Sequence, residues 1–343
     1  MVKRNHQQSK SRIGWWGALL LVMAIALTGC GSNGSNNVSA DNGAAPASES
    51  PAASPAQSDS GTRVVKHAMG EATITGTPQK VVVLTNEGTE ALLALGVKPV
   101  GAVKSWTGDP WYDHIKDQME GVTVVGEESQ PNIELIAGLQ PDLIIGNKMR
   151  QEKVYEELSA IAPTVMAEDL RGDWQVNFKL YAEALGKTAE GEQLMKAYND
   201  RIADFKSKAG DKLNKTVSVV RFMAGKTRVY HTDTFSGVIF DQIGIARTEM
   251  TKNAKDKFVD EITKERLPEA DADILFYFTY ETGDGKANAT EQEWVNDPLW
   301  QNLNAVKSGN AHKVDDAIWN TAGGILAANL MLDQLYDFYE IEK

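Results

Sequence analysis

A pattern of fourteen residues occurs twice in this chain and limits what it can fold into. "NIELIAGLQPDLII" (residues 132–145) and "TKERLPEADADILF" (residues 263–276) align without a gap, 131 residues apart. Asn132 falls on Thr263, Glu134 on Glu265 and Asp142 on Asp273. The first copy reads as a short helix capped by Asn132, with Leu135, Ile136 and Leu139 as its apolar face, broken at Pro141-Asp142 before a buried strand. Repetition of one capped helix start, one glutamate and one strand points to two lobes in a pseudo-symmetric arrangement. At 343 residues the chain also exceeds what one hydrophobic core usually organises.

Around the two copies, short apolar runs alternate with helical segments. "KVVVL" reads as a strand, "NEGTEALLALG" as a helix ended by Gly, and "VKPVGAV", "VTVVG", "DLIIG" and "TVM" as further strands. This alternation predicts a mostly parallel sheet covered on both faces. Residues 173–209 contain no Pro, and their apolar positions recur at helical spacing (Phe178, Tyr181, Leu185, then Leu194, Tyr198, Ile202, Phe205), with Gly186 as a break or kink. A second α/β run follows. The predicted class is therefore α/β: two Rossmann-like α/β lobes, over residues 62–172 and 210–343, joined by one long rigid helix over 173–209, with a ligand cleft between the lobes.

The N-terminus reads as a targeting segment. Lys3, Arg4, Lys10 and Arg12 precede the apolar "IGWWGALLLVMAIAL", and "LTGC" then resembles a bacterial lipobox. That resemblance implies a signal peptide over residues 1–29, cleavage before Cys30 and acylation of its thiol. The mature protein would then be held by lipid on the extracytoplasmic face of the cell membrane. Cys30 is the only cysteine, so it forms no internal disulfide. Residues 30–61 are rich in Gly, Ser, Asn, Ala and Pro and read as a flexible linker. The net charge is −12, and the four basic residues of the leader leave −16 on the rest, which argues against a nucleic-acid partner.

Ligands of open α/β sheets sit beyond the carboxyl ends of the strands. In the first lobe this selects Lys104-Ser105-Trp106, Asn147 to Arg150, and Arg171. In the second it selects Arg221, Tyr230-His231, Tyr280 and Trp319-Asn320. Arg221 interrupts an apolar strand, where a guanidinium is costly unless an anion pairs with it. That anion is either an internal Asp or Glu or an anionic ligand, and Arg150 and Arg171 carry the same two readings. Trp106 and Trp319 are packing residues or cleft walls, and Tyr230 and Tyr280 offer hydroxyls. His67, His114, His231 and His312 are scattered without ligand spacing, so no protein metal site is predicted. Haem is harder to set aside, because a single axial His or Met would suffice. Hydrolase, metalloprotease and Walker signatures are missing, and "GKTAEG" lacks the upstream glycine of a phosphate loop, so no enzyme activity is expected.

Taken in order, the lipobox, the linker, "VVVLTNEGTEALLALGVKPVGAV", "NIELIAGLQPDLIIGNK" and "DAIWNTAGGILAANLMLDQLY" resemble the iron-siderophore substrate-binding lipoproteins of ABC importers. These belong to the helix-linked class that also contains haem and vitamin B12 receptors. The resemblance implies a monomeric receptor that captures an Fe(III)-siderophore and delivers it to ABC permease subunits, without a cofactor of its own. "GDPWYDHIKDQMEGVTVVGEESQPN" and "RGDWQVNFKLYAEAL" look closest to receptors for citrate-hydroxamate siderophores of the schizokinen kind. On this resemblance Arg150, Arg171 and Arg221 would meet the chelate, with Trp106, Tyr230 and Trp319 beside them. Glu134 and Glu265 would dock the two permease subunits. The acidic loop "GEESQPN" departs from receptors that place a basic residue there and disfavours a catecholate. A haem or cobalamin receptor of the same fold is the alternative.

Overall fold

The structure is a computed structural model and describes residues 61–343; the leader, Cys30 and nearly all of the linker lie outside the described residues. Within it, the three β-branched residues Val81–Val83 form the central strand of a five-stranded sheet. Gly101–Ala102 and Thr123–Val124 extend it on one side, Leu143–Asn147 and Thr164–Ala167 on the other, all in parallel. Side chains alternate between faces as strand geometry requires. Val81, Val83, Leu143 and Ile145 enter the main core, while Val82 and Ile144 enter a smaller one on the opposite face.

The second lobe repeats this plan around Val217–Met223. Ile274–Thr279 pairs with it in parallel, and Ala311–Lys313 pairs in parallel with Ile274–Thr279 at the sheet edge. On its other side the expected parallel character gives way to a hairpin, Lys226–Tyr230, and then Val259–Glu261, both antiparallel to their neighbours. The duplicated unit performs the same task in both lobes. The Asp142 carboxylate accepts the N–H groups of Gln79 and Lys80 (2.8 and 3.0 Å), just before the central strand begins. Asp273 accepts the N–H and hydroxyl of Thr216 (2.7 and 2.8 Å), at the matching place before Val217. Ile136 and Leu267, which also correspond, are both fully buried. The helices differ: Ile133–Leu139 is α-helical, whereas Lys264–Ala270 is a 3₁₀ segment containing Pro268. Proline offers no N–H and crowds the preceding turn, which excludes a regular α-helix there.

The predicted connector is two helices, Trp174–Ala184 and the 22-residue Thr188–Ala209, divided at Gly186 (φ +71°) as its glycine suggested. The break is fixed from outside. Arg63 donates to the carbonyls of Glu183 and Ala184 at the end of the first helix and to Gly76. A second element also crosses the junction. The C-terminal helix Ile325–Phe338 follows the second lobe in sequence, yet its Ala327 N–H donates to Glu90 of the first-lobe helix Asn86–Ala94 (2.9 Å). Arg201 and Asp204 of the long connector hold the same helix through Asp333 and Tyr336 (2.6 Å each). One continuous core results, running from Val83 and Leu92 through Trp174 and Tyr198 to Phe276, Trp319 and Leu332.

Candidate functional site

Where the carboxyl ends of the two sheets face each other, a cavity of about 400 Å³ opens, within the range typical of small-ligand sites. Its second-lobe wall follows from strand register. Val217, Val219 and Arg221 share one face of their strand. Ala224 and Gly225 (φ +68°) turn the chain back so that Arg221 stands directly opposite Arg228. Two like charges on adjacent strands destabilise a sheet unless anions compensate them. Arg221, only 7% exposed, donates from Nε and Nη2 to both carboxylate oxygens of Asp316 (2.7 and 3.1 Å) and from Nη1 to the Tyr230 hydroxyl (2.9 Å). Its guanidinium lies 4.6 Å from the ring centre of Tyr280. Burial pushes the Asp316 carboxyl upward, while Arg221 and the Thr321 hydroxyl pull against it; the two-point geometry is that of an ionised pair. Arg221 therefore has the internal carboxylate of the first reading, and it also lines the cavity. Arg228 is paired more loosely, with Nε 3.9 Å from Glu261 and, being buried, without a hydrogen-bond acceptor.

The first lobe contributes the facing wall. Arg150 follows the strand Leu143–Asn147, lies over the Trp106 ring (5.7 Å) and reaches Glu128 at 3.6 Å. Arg171 stacks on Phe258 of the second lobe (4.8 Å) and meets Asp233 at 3.5 Å, so it joins the lobes beside the cavity. Gln151, fully buried, ties the loops together: its amide donates to the carbonyls of Leu84 and Glu128, and its Oε1 accepts from Asn147 N. Glu128 is held by the backbone and side chain of Asn86 (2.7 and 2.9 Å). Glu87, at the start of the helix Asn86–Ala94, completes the floor. Burial pushes its carboxyl up to about 8, against the pull of Asn177 and Tyr181. A second cavity of about 620 Å³ adjoins the first and shares Trp106, Glu128 and Tyr280 with it.

Of the sequence-predicted ligand residues, Trp106, Arg150, Arg171, Arg221 and Tyr230 all line the first cavity. Trp319 does not. It lies in a π-helical turn, Ala317–Thr321, instead of at a strand end, and is fully buried. Its ring sits 4.4 Å from Phe276 and its Nε1 donates to Gln334 (2.6 Å); the residues after it, Asn320 to Gly323, reach the cavity instead. His231 is buried against Thr251 and is not among the lining residues. Sequence reasoning missed Arg228, Glu87 and Glu128. For Arg228 a signal existed: "RFMAGKTR" is a two-residue hairpin, and its symmetry sets Arg228 across from Arg221. Glu134 and Glu265 are both exposed, away from the cavity lining, each at the carboxyl edge of its sheet.

Residues 81–317 match the model of the family described as "Periplasmic binding protein". The chain belongs to that family. Among its curated relatives, the probable siderophore-binding lipoprotein YfiY of Bacillus subtilis is 56% identical over 289 residues, 82% of this chain and 89% of YfiY. The achromobactin-binding periplasmic protein of Dickeya dadantii is 30% identical, over 75% of this chain and 85% of that protein. Among solved structures of similar proteins, Staphylococcus aureus SirA complexed with staphyloferrin B superposes with a TM-score of 0.76 at 38% identity. The match covers 82% of this chain and 99% of SirA. The two-lobed α/β architecture is thus that of a family of periplasmic binding proteins.

Proposed function

We propose that this protein is a lipid-anchored, extracytoplasmic receptor that captures a ferric siderophore and delivers it to an ABC permease for iron import. The observation that carries the reading is the Arg221–Arg228 cross-strand pair, joined across the cavity by Arg150 and Arg171. Four guanidiniums around about 400 Å³ suit a ligand bearing several anionic oxygens. Among the described residues no group of three or more His, Cys, Asp or Glu is placed to hold a bare ion, so iron would arrive wrapped in its own donors. The relatives support the same class, since a siderophore, achromobactin and staphyloferrin B appear in their names. Within that class we favour a citrate-based chelate with hydroxamate arms. The arginines take its carboxylate oxygens, and the Trp106 and Tyr280 faces cover its less polar arms.

Glu134 and Glu265 form a second functional surface. Each follows the carboxyl edge of its sheet, and the pair would meet basic residues on two permease subunits. The Thr263 hydroxyl and a backbone N–H hold the Glu265 carboxyl below its ordinary range, so it is charged at neutral pH.

Quenching of tryptophan fluorescence tests the ligand, because Trp106 borders both cavities. Ferric schizokinen and ferric staphyloferrin B should quench at low concentration, ahead of a ferric catecholate, haem and cobalamin. Quenching by haem alone, with a shift of its Soret band, would overturn the proposal.

A further inference from the structure

The cavity contains one acidic group that its arginines leave alone. Arg150 faces Glu128, Arg171 faces Asp233, Arg221 holds Asp316 and Arg228 faces Glu261. Glu87 lines the same space, is only 5% exposed, and among the described residues forms no ion pair. Its neighbours come from every side. From the helix Trp174–Ala184, the Tyr181 hydroxyl donates to its Oε1 (3.3 Å), with Asn177 beside it. Glu90, which pairs with His114, lies one turn along its own helix, and Glu128 approaches from the loop after Gly126–Glu127. Arg221 lines the cavity from the second lobe. Two carboxylates and no bonded cation surround a carboxyl that has been taken out of water. An anion there is disfavoured chiefly by lost hydration and further by each like charge, against the hydrogen bonds of Asn177 and Tyr181 that favour it.

We propose that Glu87 is a ligand-binding and specificity-determining residue that works in its neutral form, its carboxyl O–H donating a hydrogen bond to an anionic oxygen of the bound ferric chelate. A neutral carboxyl has one donor to give, whereas an ionised one can only accept. With Oε1 occupied by Tyr181, the proton belongs on Oε2. The arginines supply charge to the ligand, and Glu87 supplies a donor without adding to the positive charge. Such a group also discriminates: a ligand surface offering only donors at this point would leave two hydrogens facing each other.

The assignment rests on the proposed function, and its test separates the two. Burial sets the Glu87 carboxyl at about 8 in the free protein. Binding that requires the neutral form is at full strength below that value. It weakens by about tenfold for each pH unit above it, since every binding event must then first restore the proton. Ferric staphyloferrin B is titrated into the protein and into Glu87→Gln at about pH 7 and about pH 9. The wild type should bind roughly tenfold more weakly at the higher pH, and Glu87→Gln, which keeps a donor and cannot ionise, should show a ratio near one. Glu87→Ala, which keeps no donor, should bind about tenfold more weakly at the lower pH. Infrared difference spectra of the ligand-free wild type against Glu87→Gln should show a protonated carboxyl band at neutral pH. A wild-type ratio near one, a Glu87→Gln ratio equal to the wild type's, or a carboxylate band at neutral pH would each overturn the assignment while leaving the receptor function standing. Failure of every ferric chelate to bind at either pH would overturn both.

Discussion

Arg228 and Arg221 stand opposite each other on adjacent strands, yet removing them should have different effects. Arg221 is locked to a buried Asp316, so its loss strands a carboxylate and should destabilise the fold by about 3–5 kcal/mol. Among the described residues Arg228 has a single loose ion pair, at 3.9 Å from Glu261. Arg228→Ala should therefore leave the melting temperature unchanged or slightly raised, because it relieves repulsion across the hairpin. It should also weaken ferric chelate binding by about tenfold or more, through one lost charge-assisted contact. Thermal melts and fluorescence titration of the same variant check both halves; lower stability with unchanged affinity would make Arg228 a structural residue. At this scale the sequence exposed part of the site. An arginine inside an apolar strand stands out because its desolvation demands a partner. Trp319 gave no such sign: a tryptophan among small residues fits a cleft wall or a core equally well, and here the core at Phe276 holds it.

At the scale of elements, the duplicated unit is a device for starting a central strand. Asp142 and Asp273 each take up polar groups of the residues before that strand, which water would otherwise have to satisfy. Hydrogen bonds from Thr216 hold the Asp273 carboxyl below its ordinary range. A depressed carboxylate contributes stability that is present above the unfolded value and lost as pH falls through the folded one. Asp273→Ala should cost about 1 kcal/mol near neutral pH, a figure reduced for the exposure of the site. That cost should shrink toward zero as the solution is acidified below the carboxylate range. Urea midpoints for wild type and variant across pH test it; a cost that persists in acid would assign the effect to packing. Of the helix halves of the repeat only the first kept its expected cap: the Asn132 side chain accepts from the Leu135 N–H, whereas Thr263 makes no side-chain cap bond. Pro268 turned one copy into a 3₁₀ segment, which the shared pattern of apolar positions could not express. The hairpin that replaces a parallel strand in the second sheet was present in the sequence as Ala224-Gly225 between two strand-like runs.

At the scale of the molecule, among the described residues, one continuous core and two helical crossings join the lobes: the connector helices, and the C-terminal helix that ties Glu90 to Arg201. This frame keeps the carboxyl edges of the two sheets facing one another and fixes the relative positions of Glu134 and Glu265. If those glutamates dock the permease, reversing both to Lys should leave ferric chelate binding intact and abolish iron uptake by cells carrying the variant as their only copy. Normal uptake with normal protein levels would remove the docking role. The sequence by itself determined the α/β class, the repeat, most of the strands in each copy and the carboxyl ends where a ligand belongs. Those features follow from local rules of periodicity, capping and turns, each readable within a few residues. The tertiary structure decided which arginine had which carboxylate, that Glu87 had no cationic partner among the described residues, and that the last helix returns to the first lobe. Those depend on pairs separated by tens to hundreds of residues, such as Glu90 with Ala327 or Arg221 with Asp316, and on how far each pair is withdrawn from water.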